Sequence, residues 1–165
     1  MAAYDPESWT DFAVATAGAS AALAGLVFVA VSLNLQVILG HANLPGRAAQ
    51  TLALLAVPLF LALVVLIPQQ GDVALAIELA LIGLLVGGML VQRVLPGRRA
   101  AEQPIPAWII TGWLPALAVL VAPVLAGIGL LTDTAGGLYW VPVAVVLALL
   151  GGLENAWALL VEILR

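Results

Sequence analysis

Five apolar stretches, each long enough to cross a bilayer, take up almost the whole of this chain, and the charges between them alternate in sign. A helix needs about 20 apolar residues to span the hydrocarbon of a bilayer. The stretches cover about residues 12–39, 48–67, 73–95, 107–131 and 138–164. Backbone in lipid must satisfy its own hydrogen bonds, so only helices or closed barrels can span it. Continuous apolar runs of this length specify helices. The expected fold is all-α: a polytopic transmembrane bundle of five helices, forming a single integral membrane domain over residues 1–165.

The charges give an orientation. Arg47 follows the first stretch, Arg93, Arg98 and Arg99 end and follow the third, and Arg165 comes after the fifth. The opposite side holds Asp5, Glu7, Asp11, Asp72 and Asp133, and no base. Arg and Lys are retained in the cytoplasm during insertion. The expectation is an N-terminus outside, a C-terminus inside, and a multi-pass protein of the cell (inner, cytoplasmic) membrane. The acidic start, Met1 to Trp9, lacks the basic region of a secretory signal.

Composition agrees and narrows the chemistry. Hydrophobic residues are 64% of the chain and charged ones 8%, whereas a soluble domain is roughly half apolar and a quarter charged. The arginines are scattered, so there is no nucleic-acid footprint. Cysteine and lysine are absent, which removes disulfides, thiolate metal sites, cysteine catalysis and Schiff-base chemistry. His41 is the only histidine and cannot anchor a transition-metal site alone. Ser20 and Ser32 have no partner base. The glycine pairs at 87–88, 136–137 and 151–152 lack the Lys-Ser/Thr of a phosphate loop. The expectation is no enzyme, with no catalytic residue, cofactor or metal.

Polar residues inside the spans are few. Glu154 stands fourteen residues after Trp140 and eleven before Arg165, about 21 Å and 16 Å from the two ends of its helix. An ionised carboxylate at that depth costs several kcal/mol unless it is hydrated, paired or protonated. Asn155 is adjacent on another face, and Asn34 lies about 10 Å from the inner end of the first span. Glu154, Asn155 and Asn34 form a candidate polar path for protons or ions, and an Asn34–Glu154 or Asn34–Asn155 bond is sterically feasible if spans 1 and 5 are neighbours. The other reading makes these residues interhelical glue. Glu162 is one turn from Arg165 and can pair with it, and Glu78 lies near the outer surface.

Small residues mark the packing faces, because they let helix backbones approach in lipid. Gly83 and Gly87 form a GxxxG after Ala76 and Ala80. Gly151 and Gly152 sit in span 5, where Ala144, Ala148, Gly151, Asn155, Ala158 and Glu162 form a stripe. Span 1 has one face of Ala13, Thr16, Ser20, Ala24, Val27, Val31 and Asn34, and a second line of Gly18, Gly25 and Ser32. These faces serve packing within the monomer, a pore, or a subunit interface.

The run Ala19–Leu35, with Ser20-Ala21-Ala22-Leu23-Ala24-Gly25 at its start, resembles the first span of small bacterial multi-span membrane proteins. That resemblance covers spans 1 and 2 and implies a membrane bundle without implying an activity. The same run is similar to the pore helix of Orai calcium channels. Orai places an acid at its filter where Leu33-Asn34 stands here, so no site follows from it. The expected partners are the lipid bilayer and a second copy or another membrane protein. The function expected is a homo-oligomeric channel or small transporter using polar residues of spans 1 and 5. The alternative is an accessory or scaffold subunit that binds another membrane protein through small-residue faces.

Overall fold

The computed structural model describes residues 2–95 and 105–163. Arg98, Arg99, Arg165 and most of the connection between spans 3 and 4, residues 96–104, lie outside the described residues. Among the described residues there is no strand, and five helices are long and apolar enough to cross a membrane. They are α1 (Pro6–Leu33), α2 (Leu44–Val65), α3 (Asp72–Arg93), α4 (Ile105–Thr132) and α5 (Gly137–Glu162). The chain forms a bundle of transmembrane helices.

Both ends of the first helix differ from those read in the sequence, and the second helix starts at Leu44 where about residue 48 was expected. The helix expected over about residues 12–39 is interrupted at Asn34, and a short separate helix follows from Leu35 to Leu39. Asn34 has φ −107° and ψ 17°, and its Nδ2 donates to the Ala30 carbonyl at 2.9 Å. Its backbone N–H bonds the same carbonyl. A side chain that competes for a helix carbonyl favours an end over an interior. At the other end the cap is Asp5, one turn before Ser8. Its carboxylate accepts from the Glu7 N–H at 3.2 Å and the Ser8 hydroxyl at 2.6 Å, with Pro6 in the first turn.

The helices pack in the order α1, α2, α5, α4, α3, with α3 also touching α2. The main core is built from Leu54, Val57 and Leu61 of α2, Leu75, Leu79 and Leu90 of α3, Val119 and Ala126 of α4, and Ala144 and Ala148 of α5. A smaller cluster of Ile38, Leu44, Ala48 and Leu159 closes the arginine-bearing end. Half of the most apolar stretch of α4 is buried, against 11% for α1. Helix α1 is therefore peripheral, resting on α2 along one face.

Glycines set the close approaches. A Cβ on Gly87 would stand 2.4 Å from the Leu120 Cα, and one on Gly83 would stand 3.0 Å from the Leu120 carbonyl oxygen. Here α3 passes through a π-helical turn, Gly83–Gly87. On α5, Gly151 meets the Pro115 ring and Gly152 meets Leu55, so the pair seats α4 on one side and α2 on the other. At the acidic end the turn into α5 uses left-handed backbone at Ala135, Gly136 and Gly137. A Cβ on Gly137 would stand 2.3 Å from the Ala3 carbonyl oxygen. The N-terminal residues are thereby held on that turn, and the Trp9 ring meets Tyr139 edge-to-face at 5.1 Å.

Candidate functional site

Asn155 has a role that follows from proline chemistry. Pro115 lacks a backbone N–H, so the carbonyl four residues earlier, that of Thr111, loses its helical donor. The chain around it, Ile109–Trp113, forms a π-helical turn. Asn155 is 7% exposed and its Nδ2 donates to the Thr111 carbonyl at 3.1 Å. Gly151, one turn away on the same face of α5, accepts the Pro115 ring. The α4–α5 seam is thus a matched set: proline frees an acceptor, glycine admits the ring, and asparagine supplies the donor.

Asn34 and Glu154 lie elsewhere. Asn34 bonds within its own helix at the break after Leu33. The direct bonds from Asn34 to Glu154 or Asn155 that the sequence allowed do not form, because α1 and α5 both lean on α2 and barely meet. Glu154 is exposed on the outer surface of α5, and it makes no hydrogen bond or ion pair among the described residues. Trp157, one turn further on, is 69% exposed. The three polar residues are thus not brought together within one copy of the chain.

The remaining acids sit at the helix ends. Glu162 pairs with Arg47 at the start of α2; the pairing with Arg165 that the sequence allows lies outside the described residues. Arg93 donates to the Gly46 carbonyl at 3.3 Å, which gathers the described arginines at one end of the bundle. Glu78 accepts from Gln70 Nε2 at 2.5 Å near the acidic end. His41 Nδ1 lies 2.9 Å from the Val37 carbonyl oxygen in an exposed loop. Among the described residues no group of His, Cys, Asp and Glu could hold a metal ion.

The small-residue lines of α1 divide cleanly. Ala13, Thr16 and Ser20 are buried against the bundle. Gly18, Gly25 and Ser32 are exposed, and nothing lies within 4 Å of a Cβ built on either glycine. Ala15, Ala22 and Val29 are exposed between them, which makes a seven-residue repeat with small side chains along the free side of α1. Sequence reading found both lines but had no means of telling which one the bundle covers. Comparison with known protein families, curated proteins and solved structures finds no match.

Proposed function

We propose that this integral membrane protein is an accessory subunit that binds another membrane protein through helix faces its own bundle leaves open. The observation that carries the reading is α1. It packs mainly on α2 and meets α5 only near its two ends, and its free side repeats Gly18, Ala22, Gly25 and Val29 at the spacing of a helix–helix seam. Small residues are a liability for packing against lipid chains and an advantage for packing against a helix, because they admit a backbone closely. The soluble parts are short, so the helices supply nearly all the available contact area.

Photo-crosslinking residues at positions 22 and 29, introduced in native membranes, test this. They are expected to give discrete protein adducts, while the same residue at exposed Leu85 of α3 gives lipid adducts only. Identical patterns at all three sites would remove the reading. A channel or transporter for protons or ions would have to form its path between copies, since Asn34, Glu154 and Asn155 face different surroundings within one copy. That reading requires purified protein alone in liposomes to carry a flux that Glu154→Gln reduces.

A further inference from the structure

Glu154 is the one acid of α5 that lies well inside the span. It is eight residues before Glu162, whose pairing with Arg47 marks the arginine-bearing end. Eight residues correspond to about 12 Å along the helix, which the short glutamate stem cannot cover to reach water. The side chain points away from the bundle and has no partner among the described residues. Lipid cannot solvate it, and an ionised carboxylate facing hydrocarbon is strongly disfavoured.

The chain cannot supply the missing charge. Its bases are Arg47, Arg93, Arg98, Arg99 and Arg165, with no lysine; the two described ones, Arg47 and Arg93, lie at the arginine-bearing end, and in the sequence the other three come after the third and fifth spans. A second copy, parallel or antiparallel, would bring no base to the depth of Glu154. An ionised Glu154 in this position would take its complementary charge from a different chain.

Trp157 adds a second element. Residues three apart share a helix face one turn apart, and the indole is largely uncovered. A guanidinium can accept a carboxylate in two parallel bonds and lie over an aromatic face at the same time. We infer that the Glu154–Trp157 face of α5 receives a transmembrane helix of another protein carrying an arginine at matching depth. The inference rests on the assembly reading above and names the chemistry of the partner.

The test uses the whole protein in phosphatidylcholine vesicles with two synthetic leucine-alanine helices of about 23 residues. One carries a single arginine about 12 Å from one end, the depth read from helix rise, and the other has leucine there. Energy transfer from labelled protein to labelled peptide reports association. The arginine helix is expected to associate at least about tenfold more tightly than the leucine helix. Glu154→Gln should erase that preference and Trp157→Leu should reduce it. Because both side chains point outward, both variants should retain the unfolding profile of the parent. Equal association of the two peptides, no association of either, or a preference that survives Glu154→Gln overturns the inference. So does a change in the oligomeric size of the protein alone on Glu154→Gln, which would put Glu154 at a contact between copies. Adducts from positions 22 and 29 without any arginine preference would overturn only this inference and leave the assembly reading standing. An arginine preference without those adducts would uphold this inference and remove only α1 as the partner-binding face.

Discussion

Single residues in this bundle divide according to what their neighbours lack. Asn155 answers a specific deficit, the carbonyl freed by Pro115. Asn155→Leu should lower stability by about 1–2 kcal/mol, since it leaves a buried acceptor unpaired, as read from detergent-induced unfolding. The same replacement in a Pro115→Ala background should cost less, because the restored backbone N–H can bond the Thr111 carbonyl. An equal cost in both backgrounds would show that the two residues are not coupled. The Arg47–Glu162 pair is a contrast. Its side chains are 32% and 41% exposed, and such pairs contribute between nothing and about 1 kcal/mol. Glu162→Gln should therefore leave unfolding nearly unchanged.

At the scale of the element, the glycine line of α3 and the exposed glycine line of α1 are not equivalent. Gly87→Leu has no room beside the Leu120 backbone. The two helices must separate, with a loss of about 1–3 kcal/mol as for overpacked cores, measured in the same unfolding assay. Gly18→Leu and Gly25→Leu project into open space and should stay within about 0.5 kcal/mol of the parent, while abolishing adducts from positions 22 and 29. A large loss of intrinsic stability at position 18 would mean that α1 is seated differently from the arrangement described. The sequence showed both glycine lines because spacing along a helix can be counted. It did not show that α3 would open into a π-helical turn at Gly83–Gly87, or that Asn34 would end α1, because both depend on competition among carbonyls in three dimensions.

For the whole molecule, the charge pattern makes a prediction about sidedness. Cysteines at positions 72 and 133 should react with an impermeant thiol reagent from outside the cell, and one at position 41 should react only after the membrane is opened. The reverse pattern would invert the orientation. The number of spans and the grouping of charges at two ends were legible in the chain, because burial in lipid demands long apolar runs with self-satisfied backbones. The choice of neighbours was not. Helix order in a bilayer is decided by packing and polar contacts between faces, since lipid offers no hydrophobic force that draws one helix to another. Tertiary structure therefore decided that Asn155 turns inward to Thr111 while the adjacent Glu154 turns outward. It also decided that the α1 face bearing Ser20 is covered while the face bearing Gly18 and Gly25 stays open. One step along a helix rotates a side chain by about 100°, and only the positions of the neighbouring helices determine whether that step ends in a seam or in lipid.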